Sequence, residues 1–114
     1  MSTSYLPSSL DLELVTYLAG IAGKNAHESR CFVTIDHDGI TLLAPSGTTH
    51  LEWSPPASVR IVDCACDCLI DLATATATIR LLAHDAPAEL VRVSLAHLLV
   101  DLAEVAIVSR DALR

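Results

Sequence analysis

Two different spacings of apolar residues divide this chain. Near the start, Leu14, Val15, Leu18, Ile21 and Ala22 recur at helical intervals. Ser8, three residues before Asp11, supplies a helix cap, and Asp11 and Glu13 suit the positive end of a helix dipole. Gly20, Gly23 and Lys24 suit its C-terminal end. The pattern predicts a helix over residues 9 to 22 behind a flexible arm over residues 1 to 8.

From residue 31 the period is two. Cys31, Val33 and Ile35 alternate with Phe32, Thr34 and Asp36, which places the two sets on opposite faces of a strand. Asp36-His37-Asp38-Gly39 reads as a turn, with glycine free to take positive φ. Ile40 to Ala44 return, Pro45-Ser46-Gly47 turn again, and Thr48 to Trp53 run on to Ser54-Pro55-Pro56. An antiparallel meander is expected from these three strands. Residues 59 to 83 hold neither Gly nor Pro and are too long for one strand, so their turns must be read from parity. Val59 and Ile61 are apolar at odd positions, Cys64 to Leu72 at even ones, and Ala77, Ile79, Leu81 and Ala83 at odd ones again. Each switch demands a turn or a bulge, one near residues 63 to 67 and one near residues 73 to 75.

A last helix is expected after His84-Asp85-Ala86-Pro87, with Asp85 as cap, Pro87 in the first turn and Glu89 at the dipole end. It runs to residue 102 or beyond. Its polar side is thin, formed by Glu89, Arg92, His97, Asp101 and Glu104, and the rest of its circumference is Leu, Val and Ala. Val105 to Val108 carry β-branched residues that offer an extended alternative. The fold class expected is therefore α+β in a single domain over residues 9 to 114. It comprises an N-terminal helix, an antiparallel sheet of about six strands (a meander with room for barrel-like closure) and a long apolar C-terminal helix on one sheet face.

Composition adds a question of assembly. The chain has 114 residues, enough for one core. It is 52% hydrophobic with a mean hydropathy of +0.48, yet only 4% aromatic. So small a body cannot enclose all that Leu, Ala, Val and Ile, and exposed apolar patches mark interfaces. A homodimer or another protein partner is expected. No run of about 18 consecutive apolar residues suggests membrane insertion. The first nine residues lack the basic and apolar regions of a secretory signal, so the expected location is the cytoplasm. There the four cysteines would be thiols. The net charge of −7, with Lys24 the single lysine, argues against nucleic acid as a partner.

Candidate chemistry is sparse. Cys64, Cys66 and Cys68 on a straight strand would share one face, the outer two about 13 Å apart. One zinc ion, which binds sulfur at about 2.3 Å, cannot bridge that, so on a strand they are buried small hydrophobes. If Asp63 to Asp67 is instead a loop, Cys64 and Cys66, with Cys31, could approach one another for metal or redox use. His97, Asp101 and Glu104, at spacings of four and three on a helix, could hold a divalent cation or form that helix's wet stripe. His37 in its aspartate-rich turn and His50 beside Glu52 read as solvated side chains. No serine sits in a Gly-x-Ser-x-Gly elbow and no glycine-rich phosphate loop is present, so no catalytic residue is assigned.

Tyr17-Leu18, Gly39-Ile40 and Leu81-Leu82-Ala83-His84-Asp85-Ala86 leading into Leu90 and Leu98 resemble small bacterial domains of unknown function associated with iron, siderophore or haem utilisation. Ile35-Asp36-His37-Asp38-Gly39-Ile40 is similar to hairpins in haem-utilisation domains related to flavin-binding split barrels. These stretches cover about half the chain. The resemblance implies haem, flavin or a divalent metal as cofactor classes and brings no ligand residue with it. The leading expectation is a non-catalytic accessory or ligand- and partner-binding protein acting as a homo-oligomer. The alternatives are a cofactor- or metal-associated protein of iron or haem utilisation, and a thiol-based metal or redox protein using Cys64, Cys66 and Cys68.

Overall fold

A computed structural model describes residues 9–21, 24–45 and 47–109. The arm expected over residues 1 to 8 lies outside them. Eight strands and one helix follow in the order β1 (Ser9–Ile21), β2 (Lys24–Asp36), β3 (Gly39–Ala44), β4 (Gly47–Glu52), β5 (Ser58–Cys64), β6 (Asp67–Ala73), β7 (Ala77–Ala83), α1 (Ala88–Leu98) and β8 (Glu104–Ile107). The strands make one sheet in the order β4-β3-β2-β1-β7-β6-β5-β8. Two meanders, β1 to β4 and β5 to β7, join where β1 pairs with β7. Every pairing is antiparallel except β5 with β8.

The expected N-terminal helix is a strand. Its overlooked signal is the alternation Leu10-Asp11-Leu12-Glu13-Leu14, in which Leu14 is buried and Asp11 and Glu13 are exposed. After Leu14 the register against β7 slips by one residue, because Leu14 faces Ala83 while Thr16 faces Leu82. Val15 is thus bulged. A bulge resets a strand's parity, and a reset alternation mimics the 3-4 spacing of a helix.

The long apolar C-terminal helix is also corrected. α1 has 11 residues, begins at an N-cap Pro87 with no side-chain cap and ends at Leu99. Asp85 does not cap it and instead takes a left-handed conformation, φ 49°. Beyond Leu99 the backbone N–H groups of Leu102 and Ala103 both donate to the Leu99 carbonyl, and the chain turns into β8 beside β5. Pairing with a waiting strand satisfies the backbone of these β-branched residues better than a frayed helix end would. The sheet accordingly has eight strands, not six, the two additions being β1 and β8. The parity switches are where β5 turns into β6 and β6 into β7.

One sheet face carries the core. Leu10, Ile35, Ile40 and Leu51 stand abreast across β1 to β4, and Ile61, Ile70 and Leu81 across β5 to β7. α1 covers the core with Ala88, Val91, Leu95 and Leu98. On the outer face Asp71 stands between Arg60 and Arg80, 3.8 and 3.7 Å away. Asp11 accepts a hydrogen bond from Thr34 at 2.7 Å, and Thr41 bonds His50 at 2.9 Å.

The turns show which residues they need. Asp36 accepts from the backbone of Asp38 and Gly39 at 2.9 and 3.0 Å. Gly39 serves a different purpose from the positive φ expected of it: a methyl group there would collide with the Leu51 carbonyl oxygen. In the β5–β6 turn, Ala65 holds φ 66°, with its N–H bonded to the Asp63 carboxylate at 3.0 Å. Left-handed backbone costs an L-residue about 1–2 kcal/mol and glycine almost nothing. Part of that gain is offset by glycine's greater freedom when unfolded, so Ala65→Gly should stabilise the fold by about 0.5–1 kcal/mol in a denaturant titration.

Candidate functional site

The β5–β6 turn divides the three neighbouring cysteines. Cys64 closes the hairpin opposite Asp67 and is half-buried, Cys66 is exposed at the tip, and Cys68 is fully buried opposite Ala83. Cys31, also fully buried, lies on β2 opposite Leu14. The straight-strand and loop expectations therefore each describe part of the segment: Cys68 is core, and Cys66 belongs to a turn. Burial pushes the Cys68 thiol up from 9.0 to about 11, helped by the nearby Cys64, Asp67 and Asp63. A thiol held protonated is a poor nucleophile and metal ligand.

Asp67 connects this turn to the next. Its carboxylate accepts the Asp85 backbone N–H at 2.8 Å and lies 3.8 Å from His84 Nδ1. The His84 N–H in turn donates to the Glu13 carbonyl at 2.8 Å. The β5–β6 turn, the β7–α1 turn and β1 are thereby tied at one end of the sheet. Beside them opens a groove of about 310 Å3, lined by Leu10 and Leu12 of β1, by Leu90 and Val91 of α1, and by His84 and Asp85. Its size is at the lower bound of small-ligand pockets. Sequence reasoning missed it, because one wall, Leu10 to Glu13, comes from the segment read as a helix.

His97, Asp101 and Glu104 do not share a helix side. His97 is in the last turn of α1, Asp101 in the turn beyond it and Glu104 at the start of β8, all exposed. Among the described residues no three His, Cys, Asp or Glu side chains gather as metal ligands would. His50 is occupied by Thr41, and His37 is exposed in its turn. Arg92 is hydrogen-bonded to Glu89 one turn earlier and holds that carboxyl below its ordinary range.

Exposure orders the thiols chemically. Iodoacetamide applied to the folded protein should label Cys66 first and leave Cys31 and Cys68 unmodified until denaturant is added, as read by mass spectrometry of peptides. Rapid native labelling of Cys68 would contradict its burial. No protein-family model, no curated protein and no solved structure matches the chain.

Proposed function

We propose that the protein is a non-catalytic accessory protein of the cytoplasm that binds a partner and acts as a homo-oligomer. The carrying observation is its uncovered apolar surface. Leu90, Val93, Val100 and Ile107 are exposed on α1, the turn after it and β8, and Phe32 and Leu43, directly paired across β2 and β3, are exposed on the outer sheet face. Single exposed aliphatic residues are ordinary, but grouped ones mark interaction surfaces.

On α1 the grouping follows from helix geometry. Ala88, Val91, Leu95 and Leu98 face the core, while Leu90, Val93 and His97 follow at spacings of three and four on the opposite side. An ordinary surface helix is polar there. The groove between β1 and α1 adds a concave apolar feature next to this stripe. No helix among the described residues is long and apolar enough to cross a membrane, so a bilayer-spanning helix does not explain the stripe.

Size-exclusion chromatography with light scattering tests the reading. Across a concentration series the mass should exceed the 12.1 kDa of one chain. A mass that stays at one chain up to high micromolar concentration would remove the homo-oligomer.

A further inference from the structure

The structure leaves one sheet edge suited to a second copy of itself, and we propose that two chains pair antiparallel through β8. This proposal rests on the homo-oligomer reading above and names its interface.

β8 is an outermost strand of the sheet. Its backbone alternates: the N–H of Glu104 donates to the Ala57 carbonyl at 3.4 Å and that of Val108 to the Ile61 carbonyl at 2.8 Å. Residues an even number of positions apart on a strand point the same way, so the N–H and C=O groups of Val105 and Ile107 are directed away from β5. Edges are guarded by short length, charged side chains, proline or a bulge. β8 is short and opens with Glu104, but Val105-Ala106-Ile107 carries no charge, proline or bulge.

A two-fold axis through Ala106 satisfies every constraint at once. Val105 of each copy then faces Ile107 of the other, and each such pair exchanges both of its outward hydrogen bonds. Facing residues in an antiparallel pair lie on the same side of the sheet, so the two cores stay on one side. Ile107, which pairs with the core residue Ile61 yet is 40% exposed, becomes covered. Glu104 faces Val108 of the other copy, and the two Glu104 carboxylates are kept about 13 Å apart along the ladder. α1 packs chiefly on β5 and β8, so the second α1 arrives on the same side, where Val100, 74% exposed, lies in the turn leading into β8. The opposite edge is less suited to self-association. β4 reads Gly-Thr-Thr-His-Leu-Glu with all but Leu51 exposed, and the cores of homodimer interfaces are apolar.

Ala106 supplies the test, because its side chain is exposed in the single chain and would face its own copy across the axis. Ala106→Glu sets two carboxylates directly opposite one another. The light-scattering mass should fall by half relative to wild type, with an unchanged circular dichroism spectrum. Ala106→Cys in a Cys66→Ser background should give a covalent dimer on oxidation with copper phenanthroline, since facing positions lie within the Cα separation that a disulfide spans. His50→Glu, on β4, should leave the mass unchanged. A wild-type dimer that survives Ala106→Glu and gives no Ala106→Cys cross-link overturns β8 pairing while the homo-oligomer stands. Monomerisation by His50→Glu alone would move the interface to β4. A monomeric wild type removes both readings.

Discussion

Leu95→Ala should destabilise the protein by about 3–4 kcal/mol, the largest loss expected from any conservative truncation in α1. Leu95 has no exposed surface and is the central core-facing residue of the helix, between Val91 and Leu98. Removing its isobutyl group forfeits the transfer free energy of the lost atoms. It also leaves a cavity that the sheet, held by strand pairing, cannot collapse to fill. Helix propensity does not offset the loss, because Ala exceeds Leu only slightly. In a chain of 114 residues this should lower the melting temperature by roughly 10–20 °C at fixed protein concentration. Leu90→Ala, on the far side of the same helix and 64% exposed, should stay within about 0.5 kcal/mol of wild type. Equal effects at the two positions would mean that α1 does not dock as described. The contrast separates the core-facing side of α1 from its exposed side.

The sheet was legible where one face is buried and turns are marked by side-chain chemistry. Cys31, Val33 and Ile35 alternate with exposed or half-exposed neighbours, and Asp36 bonds its own turn. Even without Gly or Pro, the parity switches near residues 63 to 67 and near residues 73 to 75 marked real turns, because a strand cannot change its buried face without one. Reading failed at both ends for a shared reason. The bulge at Val15 and the turn after Leu99 are imposed by neighbouring strands, β7 in one case and β5 in the other. Such tertiary pairing leaves only a local trace: the Leu10-Leu12-Leu14 alternation ahead of the bulge, and Val105 and Ile107 after the turn.

The candidate chemistry was less legible still. A cysteine at every second position describes a strand face and a hairpin tip equally well until the turn residue is located, and Ala65 at positive φ is an improbable occupant of that position. His97, Asp101 and Glu104 keep helical spacing in a segment that stops being helical at Leu98. The groove unites Leu10 and Leu12 with Leu90 and Val91, residues about eighty positions apart that no local pattern connects.

Alkaline pH should weaken the fold, and Cys68 should account for about 2 kcal/mol of the loss by pH 11. In the folded chain its thiol is pushed up from 9.0 to about 11, first by burial and then by Cys64, Asp67 and Asp63. The folded value lies above the unfolded one, so the native state keeps its proton where the unfolded chain has released it. The resulting stabilisation is fully present below pH 9 and is lost as pH rises toward 11. With each unit of displacement worth roughly 1 kcal/mol, the loss is roughly 1 kcal/mol at pH 10 and roughly 2 kcal/mol at pH 11. Alkaline pH acts on the rest of the chain as well, so the measurement must be a difference. Urea unfolding of wild type and Cys68→Ala, each at pH 8, 10 and 11, isolates it. The variant starts less stable at pH 8, because a buried side chain with no exposed surface has been truncated, and the gap should close and then reverse or vanish by pH 11. Parallel pH profiles for the two proteins would mean that the Cys68 thiol ionises as readily in the folded chain as in the unfolded one. The desolvated position of Cys68 beneath the β5–β6 turn would then be wrong.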